Sequence, residues 1–401
     1  MRRGARLAVL TLVAGVWTAA GCASAPPRAE GTAQRGLALT LLDVVILPTQ
    51  TKPPGGKRES WFGSVSGLAQ DSRSGRYLGV IDDREPSRVA WVDITASNGR
   101  LSVKPGEVTP THPTREADAR AVVSADLEAL VALPDGQWVA SEEGHVLSSE
   151  RGYVDAEAWP PVLLLLNDKF EVTEVWPWPE RFALGAVHGG VRENQGFEGL
   201  TRTPDGRLIA GLEQPLYGDM PVPLRNGRAY GGGRGGPGRL IELVGEPGQW
   251  VTRREWVYRL DPTARRAGEL ICDDGENGLT ELLALDATRL ISLERACLIF
   301  PGGVRNTARV YLVDTAGADD VSPQAGRPVS SARPVSKRLL IDFDDLIPRS
   351  PPELAHLDNF EALAFGPPLP DGRRTLIVGS DDNFRATQHT VFVWFAIEEG
   401  H

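Results

Sequence analysis

The feature that most constrains this chain is an internal repeat. Five segments share one pattern: a small or acidic start, a strand-like run, a turn, a second strand-like run and an acidic end. They are SGLAQDSRSGRYLGVIDD from residue 66, EALVALPDGQWVASEE from 128, EGLTRTPDGRLIAGLE from 198, ELLALDATRLISLE from 281 and EALAFGPPLPDGRRTLIVGSDD from 361. Three carry Pro-Asp-Gly between the runs, a strong hairpin signal. Each copy is followed by a third apolar run, such as VLLLLND from Val162 or VFVWFAI from Val391, and the first four by a fourth. The last copy runs out of chain after its third strand, whereas LALTLLDVVIL (37–47) precedes the first copy and has no partner of its own. Repeats that cannot bury their apolar faces alone must stack on one another. Five four-stranded units, the last completed from the N-terminus, describe an all-β propeller closed by an N-terminal strand. Six blades, one of them diverged, is the alternative, because the copies lie further apart than the roughly 40–50 residues of compact propeller repeats. The 44 Gly and 31 Pro suit many short strands joined by turns. Residues 37–401 are expected to form this single domain.

The repeat also places its carboxylates. If each turn is a two-residue hairpin loop, Glu128 faces Glu143, Glu198 faces Glu213, Glu281 faces Glu294, Glu361 faces Asp382, and Ser66 faces Asp83. Like charges opposed across two strands destabilise the pair, so a pattern built five times asks for a neutralising partner. The first strand of a propeller blade lines the central channel, which would gather Asp83, Glu128, Glu143, Glu198, Glu213, Glu281, Glu294, Glu361 and Asp382 near one mouth. Ca²⁺, which takes six to eight oxygen ligands in flexible geometry, is the expected cofactor. Arginine is the other neutraliser, and Arg84, Arg295 and Arg385 follow the acidic ends closely. Zinc is disfavoured, because the six His are scattered without ligand spacing. The plainer reading is that these groups cap blade ends or bridge to arginines that hold the ring shut.

Other classes fall away on composition. The formal net charge is −10 and no Lys/Arg-rich run is present, which argues against a nucleic-acid partner. The Gly-rich GGGRGGPG (231–238) lacks the ending and setting of a phosphate-binding P-loop, and no organic cofactor is expected. The N-terminus pairs Arg2, Arg3 and Arg6 with an apolar run from Leu7 to Ala20, too short to span a bilayer comfortably and matching an export signal. AAGC ending at Cys22 resembles a bacterial lipobox. That implies a signal peptide over 1–21, acylation of Cys22, and a cell-envelope lipoprotein on the periplasmic side or outer membrane. Residues 22–36 would be a flexible tether. Cys272 and Cys297 are the remaining cysteines, and in an oxidising compartment they are candidates for a disulfide.

Three stretches carry a family resemblance: NQGFEGLTRTPDGRLIAGLEQPL, ISLERACLIFPGGVRNTARVYLVD, and LDNFEALAFGPPLPDGRRTLIVGSDDNFRATQHTVFVWFAIE. Asn194, Glu198, Glu213, Glu294, Arg295, Asn306, Arg309, Asn359, Glu361, Asp382, Asn383 and Phe384 together resemble the bacterial phytase-like family described by esterase-like activity. The resemblance implies a propeller, export, and kinship with calcium-dependent propeller phytases, in which metal ions at a channel mouth help bind phosphate and activate water. It does not extend to the Lys-rich phosphate pocket of true propeller phytases.

Three functions follow. A metal-dependent hydrolase of phosphate or other esters would hold metal on Glu198, Glu213, Glu294, Glu361 and Asp382. It would meet a small anionic or ester substrate with Arg84, Arg295 and Arg385, and its candidate catalytic groups are Glu198, Glu361, Arg295 and Arg385. A serine carboxylesterase would want G-x-S-x-G, but GSVSG (63–67) has Val65 at the nucleophile position and Ser66 in a repeat slot usually held by Glu. A non-catalytic binding propeller stabilised by calcium would show the same carboxylates. The protein is expected to act as a monomer.

Overall fold

The computed structural model describes residues 36–48, 57–83, 86–115, 125–146, 158–185, 189–225, 228–273, 275–346 and 357–400. The signal segment, Cys22, the tether as far as residue 35 and Arg84 lie outside these. Apart from two-residue pairings, twenty strands form five four-stranded antiparallel sheets.

The first blade runs β2 (Val65–Gln70), β3 (Tyr77–Ile81), β4 (Arg88–Ser97) and β5 (Arg100–Pro110). The second runs β6 (Leu127–Ala132), β7 (Trp138–Glu142), β8 (Val162–Leu166) and β9 (Glu171–Pro177). In the third, β10 (Phe197–Arg202), β11 (Leu208–Leu212), β12 (Gly236–Val244) and β13 (Val251–Leu260) follow in order. The fourth holds β14 (Gly278–Ala284), β15 (Arg289–Phe300), β16 (Gly303–Asp314) and β17 (Ser336–Asp342). The fifth takes β18 (Asn359–Gly366), β19 (Thr375–Asp381) and β20 (Val391–Glu399), and its outer strand is β1 (Leu37–Ile46), paired antiparallel to β20 from Leu37–Glu399 to Ile46–Val391. The inner strands neighbour one another in a closed ring, β18–β2–β6–β10–β14 and back to β18.

Side chains alternate between the two faces of a strand, and here both faces are buried between blades. The run VLLLL of β8 illustrates it. Leu163 and Leu165 pack toward the third blade with Phe197, Leu200 and Leu208, whereas Val162, Leu164 and Leu166 pack toward the first with Leu78, Val80 and Val89. Five such interlayers exist, one per pair of adjacent blades. Each fully buried Leu in them stabilises the fold by about 1.5–3 kcal/mol. The inner strands approach closely. A Cβ on Gly67 would lie 2.7 Å from the carbonyl oxygen of Glu128, and one on Gly199 would lie 3.0 Å from Cγ of Leu282. Glycine at positions 67 and 199 is therefore a packing requirement.

The turns differ from the two-residue loops expected. Thr203 donates its N–H to Arg207 and accepts that of Gly206, so the loop is Pro204-Asp205-Gly206, with Gly206 at φ +93°. Leu133–Gln137 and Leu369–Arg373 close the Pro-Asp-Gly loops of the second and fifth blades in the same way. Glycine at the third loop position, in the left-handed region, is what this turn needs. The longer loop slips the register by one. A β-bulge near the open end of every first hairpin slips it again, at Ser66, at Glu128, at Glu198, at Thr280 and at Glu361.

Candidate functional site

The bulges decide which side chains meet. Glu198 does not face Glu213 across the ladder, because Phe197 pairs with Leu212 and Gly199 with Gly211, leaving Glu198 between them. A bulge re-aims the extra residue out of the pleat. On the partner strand the residue after the one paired just before the bulge supplies the second group: Asp82, Glu143, Glu213, Arg295 and Asp381 hold corresponding places after Ile81, Glu142, Leu212, Glu294 and Ser380. These groups converge from different blades. One oxygen each of Asp82, Asp126 and Glu128 lies within 4.8 Å of the others, and so do oxygens of Glu128, Glu143 and Glu198. On the far side, Ser66 Oγ donates to Glu361 Oε2 at 3.1 Å, and Asn359 Nδ2 donates to both Glu361 (2.8 Å) and Asp381 (3.1 Å). Ser66 is thus a channel residue.

Four expected ring members sit elsewhere. Asp83 is one residue too late and pairs with Arg58 (2.8 Å) and the buried Arg88 (2.7 Å). Asp382 accepts from Ser64 N, Phe384 N and Thr390 Oγ1, tying a loop. Glu294 is engaged by Tyr258 (2.8 Å), Lys337 (2.6 Å) and Asn277 (2.6 Å). Glu281 is next to the bulge position, which in the fourth blade is Thr280, and its Oε1 accepts the N–H groups of Leu200 and Leu282. Each satisfies a structural need, and none faces the ring. The sequence reading missed Asp82, Asp126 and Asp381. For Asp82 and Asp381 the signal was present as Asp-Asp pairs, and the register chose the other member.

Charge is distributed unevenly. Arg295 stands in the fourth blade's slot, donating to Glu361 Oε1 (2.7 and 3.1 Å) and lying 3.6 Å from Glu213. On the opposite side, among the described residues, no side-chain hydrogen bond or ion pair reaches Glu128 or Glu198, although both are buried. Burial, reinforced by mutual repulsion, pushes the carboxyls of Asp82, Glu128 and Glu198 well above the ordinary range. Glu213 and Asp381, also driven up by burial, reach about 7 despite Arg295 beside the first and three hydrogen-bond donors on the second.

Arg295 also lines a cavity of about 760 Å³ beside the ring. Glu213, Asn359, Asn383, His389 and the exposed Arg385 contribute polar groups to it, and Ile299 and Val304 an apolar wall. Those two aliphatic residues are 43% and 54% exposed, unusual for their type. Cys272 and Cys297 form a disulfide at the cavity edge, Cα to Cα 5.4 Å. Arg309, part of the resemblance, instead holds Asp342 at 2.7 Å.

A search of curated proteins found no match. Among solved structures, the endo-arabinase of Bacteroides thetaiotaomicron VPI-5482 aligns with 84% of this chain and 96% of its own at 11% identity and TM-score 0.42. The GH62 α-L-arabinofuranosidase catalytic domain of Coprinopsis cinerea aligns with 89% and 97% at 8% identity and TM-score 0.36. A putative oxidoreductase (glucose dehydrogenase) of Thermus thermophilus aligns with 90% and 100% at 14% identity and TM-score 0.33. Likeness at this level bears on no activity. The sequence comparison is decisive instead: the family model described as "Phytase-like: Esterase-like activity of phytase" matches residues 60–384, most of the five-bladed ring, and the chain belongs to that family.

Proposed function

We propose that the channel mouth and its adjoining cavity form a divalent-cation-dependent site for ester hydrolysis, with phosphate esters the first class to test. The observation that carries this reading is the half-neutralised ring. Arg295 bonds Glu361 and lies beside Glu213, and it acts on Glu198 only through space, while no side-chain hydrogen bond or ion pair reaches the buried Glu128 or Glu198 among the described residues. Buried carboxylates that repel one another stay ionised only beside positive charge. The donor set fits a hard cation, being oxygen throughout: Asp82, Asp126, Glu128, Glu143 and Glu198 would hold it. When bound, a divalent ion supplies Lewis-acid charge to a substrate oxygen and to the attacking water.

The chain's own residues do the rest. Arg295 is fixed by Glu361 before any ligand arrives, so its guanidinium is a preorganised partner for an anionic oxygen in the cavity. Arg385 is a second cation lining the same cavity, from the loop after Asp382. Ile299 and Val304 give an organic substituent an apolar surface.

Thermal unfolding with EDTA or calcium, for the wild type and Glu198→Gln, tests the ion. Saturating calcium is expected to raise the wild-type Tm by roughly 3–8 °C through linkage. Glu198→Gln should remove most of that rise. Hydrolysis of phosphate esters, then carboxylic esters, should require the same ion. No calcium response would end the metal reading, and a response without hydrolysis would leave a calcium-stabilised binding propeller.

A further inference from the structure

The cavity holds one described histidine, for which no partner is recognisable along the chain. The fold supplies one. Nδ1 of His389 lies 3.3 Å from Oδ2 of Asp358, which sits just before β18 and is itself buried. Asp358 also accepts the backbone N–H of His389, and Ser380 Oγ donates to its carbonyl at 2.8 Å. Backbone and ring are therefore both held, and the ring orientation is set. Nε2 is left as the nitrogen with no hydrogen-bond partner among the described residues, in a side chain that lines the cavity with Arg295 and Arg385.

We infer that His389, oriented by Asp358, is the proton donor to the leaving oxygen of the ester. The inference rests on the hydrolytic reading above. In the step, a water oxygen bonds to the phosphorus while the bond from phosphorus to the ester oxygen breaks. That oxygen takes the Nε2 proton and departs as a neutral alcohol. The proton released by the attacking water passes to solvent, and solvent returns one to the imidazole, so the enzyme is unchanged. The task of Asp358 is positioning. Burial raises its carboxyl to about 6, against the pull of His389, so above that pH it is an anion that accepts Nδ1–H and fixes the ring. Asp382 repels its charge from nearby, and Asp273, Glu213, Arg295 and Arg385 are the other charged groups around the cavity.

A purely structural His389–Asp358 tie would hold the loop after β19 and would not distinguish leaving groups. Phenyl and 4-nitrophenyl phosphate separate the two roles, because the poor leaving group needs the proton and the good one does not. In His389→Asn, whose amide still donates to Asp358, activity toward phenyl phosphate should fall about 100-fold or more. Activity toward 4-nitrophenyl phosphate should fall less than about 10-fold. Asp358→Asn, which keeps the shape but loses the anion, should lower activity toward phenyl phosphate about 10-fold more than activity toward 4-nitrophenyl phosphate, and its calcium-induced Tm rise serves as the folding control. Equal losses on both esters, or no loss, would overturn the role of His389 while leaving the hydrolase intact. Absence of hydrolysis by the wild type would overturn both.

Discussion

Arg295 occupies a slot that in the other four blades is acidic. Its side chain is 14% exposed and lies between Glu361 and Glu213, so it neutralises one side of the ring and presents its free edge to the cavity. Burial works against its charge, but the three glutamates around it more than offset this, so its guanidinium is held firmly protonated. Breaking a buried pair by deleting one partner typically costs about 3–5 kcal/mol, because the other charge is stranded. Arg295→Met should therefore lower the urea unfolding free energy by about that much in EDTA. Part of the loss should return with calcium, since Glu213 and Glu361 then become further oxygen ligands. Arg295→Lys keeps the charge without the planar fork and should lose about half as much. A loss below about 1 kcal/mol for Arg295→Met would mean that the ring is not held by this residue.

The hairpin of β14 and β15 makes the register testable. Thr280 is its bulge residue, and Glu281 is turned toward the third blade, where Leu200 donates to it, as does Leu282 of its own strand. Glu281→Gln should cost about 1–2 kcal/mol, because the new amide donors are buried without acceptors. It should leave the calcium-induced Tm rise at its wild-type size, in contrast to Glu198→Gln. Loss of the calcium response in Glu281→Gln would show that the bulge is misplaced. The repeat, the strands and the convergence of carboxylates at one end were legible in sequence, because alternation and Pro-Asp-Gly turns leave a direct mark. The register was not. Two- and three-residue Pro-Asp-Gly loops are spelled alike, and a bulge at Glu198 or Thr280 has no residue signature of its own. Those single steps exchanged Asp82 for Asp83, Asp381 for Asp382, and Thr280 for Glu281. Asp126 joins the ring from the residue before β6, and His389 meets Asp358 across 31 positions of chain. Only closure of the blades brings such groups together.

Closure of the ring also sets how the whole molecule responds to pH. Five interblade cores fix five inner strands, and the acids at their ends are brought together whether or not a cation is present. Glu213 and Asp381 have folded-state values of about 7, against 4.5 and 3.8 for the free groups. In the folded state they keep their protons through pH 5 and 6, whereas the unfolded chain has already released them. Where the folded state binds more protons, stability declines as pH rises. Their favourable contribution is thus complete below about pH 4 and is lost on rising through about pH 7. At about 1.4 kcal/mol per pKa unit, Glu213 alone accounts for roughly 3 kcal/mol. In EDTA the Tm should therefore fall between pH 5 and pH 8. A bound divalent cation reverses the sign, because it favours the ionised carboxylates, so the calcium-induced rise in Tm should be small at pH 5 and largest at pH 8. Melting curves at pH 5, 6, 7 and 8, with EDTA and with calcium, check both slopes. A flat EDTA profile together with a calcium effect independent of pH would mean that protein groups already neutralise the ring, and the channel mouth would then be a structural lock instead of an ion site.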